Sequence, residues 1–369
     1  MERRLVDRMA ERHLTRLGGA TPGSRGVTLW WRLLAILVVL PVHLVSATAT
    51  VGGLVLVATG DTWPLKALGV LLLLVAIATR PATPQLPEHA ARLSRSDAPV
   101  LFTLVDAVAK TNSAPLPDEI LIVDGFNAFA THVGWRRRRV IGLGAPLWVS
   151  ASPQGRVALL GHELGHFEHG DLTHGRLVGT AEETLLHWLD IAGGNDGVEY
   201  DETRRLEWYL MAPLRAIIVG YLTLITWVNA PAHQRQEYLA DLDSARAAGT
   251  DGAVALLDVT LSEPTVTAAM TRAAVNPHRP DVFAVLSEAV RNISPHDLER
   301  RRVHAFTERS RIDDTHPATP LRIQLLQSRP VEAPAVTMDL DTQTAVDAEL
   351  SPALVLAAKE ACERIRYQH

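Results

Sequence analysis

A long uncharged segment near the N-terminus limits the structures that this chain can adopt. From Leu33 to Ala58 there are 26 consecutive residues without Asp, Glu, Lys or Arg. As an α-helix this segment would extend about 39 Å, which is enough to cross a bilayer with some tilt. A second apolar segment, Thr62 to Thr79, contains only Lys66 as a charged residue. A tight turn around Asp61 can join the two segments, so the sequence predicts a transmembrane helical hairpin within residues 27–80, with helices at about 33–58 and 62–79.

Basic residues flank the predicted hairpin on both sides. Residues 1–26 form a basic tail with Arg3, Arg4, Arg8, Arg12, Arg16 and Arg25, and the second segment is followed by Arg80, Arg92 and Arg95. Lys and Arg accumulate on the cytoplasmic side of membrane proteins, so both flanks are expected to be cytoplasmic. We therefore predict a plasma-membrane protein with at least two spans whose remaining chain faces the cytoplasm.

A cleaved signal peptide is an alternative interpretation of the first apolar segment, since Ala47 and Ala49 form an A-x-A sequence. However, the preceding basic region is too long, and the apolar segment exceeds the usual length of the hydrophobic part of a signal peptide. We therefore favour the membrane hairpin.

Composition narrows the possible classes of function. The formal net charge of −5 argues against a nucleic-acid-binding protein. The single cysteine, Cys362, excludes intramolecular disulfides and multi-cysteine metal clusters. A bound metal would therefore need histidine and carboxylate ligands.

The sequence GHELGHFEHG at residues 161–170 contains His162, Glu163 and His166 in the pattern H-E-x-x-H. On an α-helix, residues four positions apart lie on one face, so both imidazoles can reach one metal ion with Glu163 beside them. A helix is expected here, because Ser152 suits an N-cap and is followed by a proline and by apolar residues at helical spacing. The alternative is an amphipathic core helix whose histidines lie at the surface.

A third metal ligand is expected downstream, in the sequence HQRQEYLADLDSA at residues 233–245. Glu237 and Asp241 are four positions apart on a predicted helix and therefore face the same direction. Glu237 could complete a site of two histidines and one glutamate, and Asp241 could orient a ligating imidazole. An exposed acidic helix face is the alternative. His169 and His174, which follow the motif, are weaker candidates for metal ligands.

The segment between the hairpin and the H-E-x-x-H motif predicts a small antiparallel sheet. Its strands are EILIV (119–123), NAFATHV (127–133) and VIGLG (140–144), preceded by a helix that ends at Lys110 and that Ser96 or Asp97 could cap. An exposed edge of this sheet could hold an extended peptide, or the sheet could be a simple scaffold. The four arginines at 136–139 are expected to form a solvated turn or to contact anionic headgroups.

Most of the remaining chain predicts helices, so the expected fold class is mainly α with a small antiparallel β-sheet (α+β). Residues 331–369 look like a C-terminal appendage with one helix. Residues 216–232 are uncharged, but their only possible membrane partner, 177–192, contains Glu182, Glu183 and Asp190. The number of crossings between His166 and Glu237 must be even if both belong to one site. We therefore expect none, with 208–230 as a buried or membrane-leaning helix.

Four motifs in order resemble those of one family. They are N-A-F-A at 127–130, H-E-L-G-H at 162–166, E-Y-L-A-D at 237–241 and T-H-P-A-T-P-L-R-I at 315–323. Together they resemble the membrane-bound zinc metallopeptidases that include the HtpX heat-shock proteases and the type 1 CAAX prenyl proteases. The resemblance covers residues 97–326, and the N-terminal hairpin agrees with it.

The resemblance implies a gluzincin-type metallopeptidase domain at residues 81–330 that holds one Zn²⁺ ion per chain. The implied zinc ligands are His162, His166 and Glu237. The resemblance also implies that Glu163 acts as general base and general acid, and that Asp241 contacts a zinc ligand on the side away from the metal.

The resemblance further implies that His316 and Arg322 lie near the active site and that Asn127 lies near the substrate. His316 could stabilise the oxyanion of a tetrahedral intermediate. Arg322 could pair with a carboxylate or a carbonyl group.

The predicted function is therefore a membrane-anchored zinc metalloendopeptidase that acts on protein or peptide substrates, in quality control or processing of membrane proteins. One alternative is a regulatory or signalling membrane protein with a structural zinc site. Another is a CAAX-type processing protease. The sequence leaves the oligomeric state open.

Overall fold

The computed structural model describes residues 29–82, 86–134, 136–169, 172–193, 202–276, 278, 281–308 and 317–368. The predicted basic tail at 1–26 and the candidate residue His316 lie outside the described residues. The described residues are mainly helical with one small sheet, which confirms the predicted fold class.

The secondary structure follows the predicted order of elements. The helices are α1 (Leu29–Thr59), α2 (Trp63–Ala78), α3 (Pro99–Asn112), α4 (Ala145–Ser150), α5 (Pro153–His169), α6 (Leu172–Ile191), α7 (Glu202–Thr260), α8 (Glu263–Val275), α9 (Val282–Arg291), α10 (Pro295–Glu308), α11 (Thr319–Gln327) and α12 (Leu340–Gln368). The strands are β1 (Ala91–Leu93), β2 (Glu119–Val123), β3 (Ala128–Val133) and β4 (Arg138–Gly144).

The described chain divides into two compact units. The first unit comprises Leu86–Gly170 and His233–His369, and the second comprises Arg25–Gln85 and Asp171–Ala232. This grouping differs from the domain boundaries expected from the sequence, because residues 171–232 group with the predicted hairpin rather than with the rest of 81–330.

The hairpin of the second unit is held by a close helix crossing. A Cβ atom at Gly53 would lie 2.9 Å from the carbonyl oxygen of Gly69, and a Cβ atom at Gly69 would lie 2.9 Å from that of Gly53. The two glycines therefore allow the backbones of α1 and α2 to approach closely, as small residues do in membrane helix pairs. The expected helix pair is thus present, with α1 long and apolar enough to cross a bilayer and α2 a shorter apolar helix.

The second unit has polar hydrogen bonds inside and apolar side chains outside. Tyr221 donates a 2.6 Å hydrogen bond to the carbonyl oxygen of Val38, and His43 Nε2 lies 3.1 Å from the carbonyl oxygen of Leu177. By contrast, Leu37 is 65% exposed. This distribution is typical of helices that face lipid, because lipid cannot satisfy polar groups.

The segment of α7 that belongs to the second unit buries only one face, on which Ile218 and Ile225 belong to a core cluster. Leu210 and Ile217 are 67% and 68% exposed. Helix α7 from Trp208 onward is also long and apolar enough to cross a membrane by length and composition. Residues 208–230 thus combine the two expectations, because one face of the helix is buried and the other exposes apolar side chains, as a membrane-leaning helix would.

The sheet of the first unit is mixed, whereas the sequence predicted an antiparallel sheet. The strand order is β1-β2-β4-β3. Strands β1 and β2 are antiparallel, as are β3 and β4, but β2 and β4 are parallel. The error arose because short turns suggested that consecutive strands pair, whereas β4 inserts between β2 and β3.

A glycine at the end of β4 permits this insertion. The loop from β2 to β3 must cross the end of β4, and Gly144 donates a 2.8 Å backbone hydrogen bond to Asn127 there. A Cβ atom at position 144 would collide with the carbonyl oxygens of Gly125 and Asn127. Only glycine fits this crossing without a shift of the backbone.

Helix α5 lies inside the first unit. The apolar residues that predicted it, Val157, Leu160, Leu164 and Phe167, are all buried, and most of its other residues are buried as well. A helix that is buried on nearly all sides needs no polar face, so the expected amphipathic pattern is weak.

The C-terminal segment is an integral part of the first unit rather than an appendage. Val346, Leu350 and Leu354 of α12 belong to the same core cluster as α5. Asp347 pairs at 2.6 Å with Arg156, a buried residue of α5. Appendage was the wrong interpretation, because the segment supplies one wall of the core.

The C-terminal segment also caps helix α3. The carboxylate of Glu349 accepts hydrogen bonds from the backbone amides of Val100 and Leu101, at 2.8 and 2.9 Å. The predicted cap was Ser96 or Asp97, but Asp97 instead accepts a hydrogen bond from the backbone of Ser94. A residue almost 250 positions away in sequence therefore satisfies the orphan amides at this helix start.

We expect Asp347→Asn to lower the free energy of unfolding by about 1–3 kcal/mol, because the buried guanidinium of Arg156 loses its charged partner. Thermal unfolding of the full chain in detergent measures this loss. The control is Glu363→Gln, since Glu363 is half exposed and lies 3.9 Å from Lys359. Equal melting temperatures for the two variants would contradict the assigned role of Asp347.

Candidate metal centre

The helix that carries the H-E-x-x-H motif begins as the sequence predicts. Ser152 accepts a 3.1 Å hydrogen bond from the backbone amide of Gly155, and Pro153 is the first helical residue. His162 and Glu163 are each only 4% exposed. The alternative in which the motif histidines are surface residues is therefore excluded for His162.

The second half of the site comes from α7. Glu237 and Asp241 lie one turn apart, and they are 5% and 2% exposed. The alternative of an exposed acidic helix face is thus excluded. Their burial shows that α5 and α7 bring residues about 70 positions apart in sequence into one interior site.

Small residues allow these two helices to approach closely. A Cβ atom at Gly161 would lie 3.0 Å from the Cα atom of Ser244, and one at Gly165 would lie 3.0 Å from the Cα atom of Ala240. Ser244 also donates a 2.9 Å hydrogen bond to the carbonyl oxygen of Ala158. Gly161, directly before the motif, and Gly165, within it, therefore bring the histidines within reach of Glu237.

Three side chains converge at the crossing. Nε2 of His162 lies 3.3 Å from Nε2 of His166 and 3.5 Å from Oε2 of Glu237, and Nε2 of His166 lies 3.4 Å from Oε1 of Glu237. Ligand atoms about 2.1 Å from a tetrahedral zinc ion lie roughly 3.4 Å from one another. The donor types and their separations therefore fit one zinc ion, and the three residues could hold a metal.

The charges of the site also suit a divalent cation. The described side chains include three buried carboxylates, those of Glu163, Glu237 and Asp241, and one buried guanidinium, that of Arg322. Buried charges are stable only when opposite charges lie nearby. Two positive charges at the convergence point of the three donors would balance this group.

Arg322 and Asp241 form a buried ion pair behind His162. The guanidinium donates two hydrogen bonds to the carboxylate, at 2.8 and 2.6 Å. Oδ1 of Asp241 lies 3.2 Å from Nδ1 of His162. A hydrogen on Nδ1 that points to Asp241 leaves the lone pair on Nε2, which is the nitrogen that faces Glu237.

The pKa values reflect these contacts. Burial lowers the pKa of His162, but hydrogen bonds to Asp241 and Glu237 outweigh burial and raise it to about 10. Burial raises the pKa of Asp241, but Arg322 and His162 reverse this effect and hold it below its ordinary value. The surrounding carboxylates thus favour positive charge next to the imidazole, and a metal cation bound at Nε2 would take the place of the proton there.

The exposed side of the site is at His166. The side chain of His166 is 22% exposed, whereas that of His162 is 5% exposed. A substrate could therefore approach from the side of His166, while Asp241 and Arg322 close the opposite side.

The structure does not bring every candidate residue to the metal centre. Asn127 is exposed at the start of β3, where its carbonyl oxygen accepts the hydrogen bond from Gly144. Nε2 of His169 lies 2.7 Å from Oδ2 of Asp243, so this histidine contacts a carboxylate. The side chain of His174 and the whole of His316 lie outside the described residues.

Two features of the site escaped the sequence analysis. Gly161 and Gly165 are four positions apart and face the small residues of α7, a spacing that is visible in the sequence as G-x-x-x-G. Asp243 is buried and bonds both His169 and Arg246, which ties the end of α5 to α7. No sequence signal pairs His169 with Asp243, because the contact depends on the crossing of the helices.

A helix with two histidines and an adjacent glutamate, joined by a glutamate from a second helix, defines the class of metallopeptidase-type sites with two histidine ligands and one glutamate ligand. The sequence model of peptidase family M48 matches residues 96–330, which is more than half of the chain. The chain belongs to this family, as the resemblance of its motifs predicted. M48 metallopeptidases are generally zinc-dependent.

Curated relatives have modest similarity to the chain. Protease HtpX from Pseudomonas putida (strain GB-1) is 27% identical over 164 residues, which are 42% of this chain and 54% of the relative. Protease HtpX homolog from Thermodesulfovibrio yellowstonii is 26% identical over 168 residues, 43% of this chain and 57% of the relative. The chain thus spans about half the length of the curated relatives it matches. No solved structure gave a significant match.

We expect Arg322→Gln to weaken zinc binding by about ten- to a hundredfold, because Asp241 loses the partner that holds it against His162. Arg322→Lys keeps the charge without the two-pronged contact and should show a smaller loss. Competition with a chelating dye measures the affinity. Unchanged affinity in a folded Arg322→Gln protein would exclude this positioning role.

We expect Gly165→Val to separate α5 from α7 and to reduce both zinc binding and stability, the latter by about 1–3 kcal/mol. The added side chain would meet Ala240 and Asp243, whereas Gly179 of α6 has no described atom near its Cβ position. Gly179→Val is therefore the matched control. Zinc content and melting temperature are measured for both, and equal values would refute the close-crossing argument.

Proposed function

We propose that this protein is a membrane-anchored zinc metalloendopeptidase. The observation that carries the proposal is the convergence of His162, His166 and Glu237, with the buried Glu163 next to His162 in the same helix. The three residues would hold one zinc ion. When bound, zinc would supply a Lewis acid that polarises the scissile carbonyl and lowers the pKa of water.

Glu163 is the proposed general base and general acid. It lies on α5 between the two histidines, so it accepts the proton of the attacking water and passes it to the leaving amine. The surrounding burial strengthens the electrostatic interactions of its carboxylate. Asp241 and Arg322 act as positioning residues that hold His162 in the tautomer needed for metal binding.

The remaining candidate residues are assigned to the substrate. His316 is proposed to stabilise the oxyanion of the tetrahedral intermediate, and Asn127 to contact the substrate near the start of β3. Strand β3 pairs with β4 on one side only within the described sheet. Its other edge offers main-chain groups to an extended protein or peptide substrate.

The proposed location is the plasma membrane, with the catalytic residues on the cytoplasmic side and the helices of the second unit in contact with the lipid bilayer. The basic flanks of the hairpin support this orientation. Glu237 must lie on the same side as His166, so any crossings made by α6 and α7 come as a pair. The sequence favours none, because α6 carries Glu182, Glu183 and Asp190, and the exposed apolar face of α7 fits a helix that leans on the membrane.

The alternative of a structural zinc site is less well supported. Structural zinc sites are closed by four protein ligands, whereas three candidate ligands converge among the described residues. The names of the curated relatives also favour an HtpX-like protease over a CAAX-type processing enzyme. Quality control or processing of membrane proteins is the proposed role.

We expect Glu163→Gln to abolish cleavage of casein by the zinc-loaded full chain in a neutral detergent, because the general base is lost. Zinc content should remain near one per chain, since Glu163 is not a ligand. Glu168→Gln is the matched control, because Glu168 lies on the same helix and is exposed. Cleavage and zinc content are measured for all three proteins.

Wild-type activity in Glu163→Gln would refute this mechanism. Glu237→Ala adds a second test, since it should lose bound zinc together with activity. Full zinc content in that variant would remove Glu237 from the ligand set.

A further inference from the structure

A strongly basic turn follows the edge strand β3. Strand β3 ends at Val133 and β4 begins at Arg138. Gly134 and Arg137 both have left-handed backbone conformations, with φ of 69° and 52°. Arginines 136–139 thus occupy the end of a tight turn and the start of β4, where Arg136 and Arg138 are exposed.

Carboxylates balance only part of this charge. Arg138 shares Glu119 with Arg92, at 3.6 and 3.7 Å. Arg139 lies 3.7 Å from Asp118. Within the described part of the chain, the structure has no ion pair at Arg136 or Arg137. The turn therefore carries more positive charge than the neighbouring carboxylates neutralise.

The turn lies at the end of a strand that adjoins the metal centre. The ring of His132, near the end of β3, packs edge-on against the ring of Phe167 with centroids 5.3 Å apart. Phe167 follows the candidate ligand His166 directly. Burial lowers the pKa of His132, and the charges of Arg137 and Arg139 lower it further. The positive potential of the turn therefore reaches this end of the strand.

We propose that the arginine turn, defined as residues 136–139, selects substrate segments that carry Asp or Glu. This inference rests on the proposed peptidase function and names the substrate class of the same site. An extended peptide beside β3 would advance about 3.3 Å per residue, so residues a few positions beyond the one opposite His132 reach the turn. Acidic side chains there would meet Arg136 and Arg137.

Charge complementarity requires an anionic occupant, and the position of the turn along an edge strand argues for a peptide rather than a lipid headgroup. The turn continues the free edge of β3, so a bound extended chain reaches it without leaving the strand. Exposed ion pairs contribute little individually, so two such contacts should produce a preference of roughly fivefold in kcat/KM, which high salt should diminish.

The test compares cleavage of a mixed peptide library by the zinc-loaded full chain in neutral detergent. The test variant is Arg136→Glu/Arg137→Glu. The control variant is Arg272→Glu/Arg291→Glu, which makes the same charge change at exposed arginines of α8 and α9. Mass spectrometry identifies the cleavage sites, and kcat/KM is then measured for one acidic peptide and its Asn/Gln counterpart.

We expect the wild-type cleavage sites to be enriched in Asp and Glu on one side of the cut bond. The control variant should keep this enrichment, and the test variant should lose it. Cleavage without this enrichment, or enrichment that survives in the test variant, overturns the selectivity and leaves the peptidase function standing. Absence of cleavage by zinc-loaded wild type refutes the proposed function instead. If the test variant keeps its preference but loses binding to anionic vesicles, the turn is a lipid contact.

Discussion

The close crossing of α5 and α7 is the constraint on which the metal centre depends. Two glycines and two small residues bring the helix backbones together. The distance between the helices then fixes the distance between the histidine pair and Glu237. A single added methyl group at the crossing would change the distances between the ligand atoms and leave their chemical types unchanged, because packed interiors transmit small displacements.

Burial of charge is the second constraint. Asp241 and Arg322 are both almost fully buried, and each makes the burial of the other tolerable. The pair also fixes the orientation of His162, so one interaction serves both stability and the site. Its cost in desolvation is offset by a bidentate contact, which is the geometry that arginine provides and lysine does not.

The two units differ in where they place apolar side chains. The first unit has a conventional core in which α5 is surrounded by the sheet residues and by α12. The second unit exposes large apolar side chains and directs hydrogen bonds inward. The same chain passes from the first unit to the second and back between His166 and Glu237, so the metal centre joins two segments separated by the second unit in sequence.

The sequence by itself determined the helix pair of the hairpin, the start of α5 and the residue types of the metal centre. These features depend on local patterns: uncharged length, a serine cap and i,i+4 spacing. The tertiary structure alone decided the parallel pairing of β2 with β4, the cap that Glu349 provides for α3, and the pairing of Arg322 with Asp241. Each depends on which distant segments meet in space, and neither periodicity nor spacing encodes that contact.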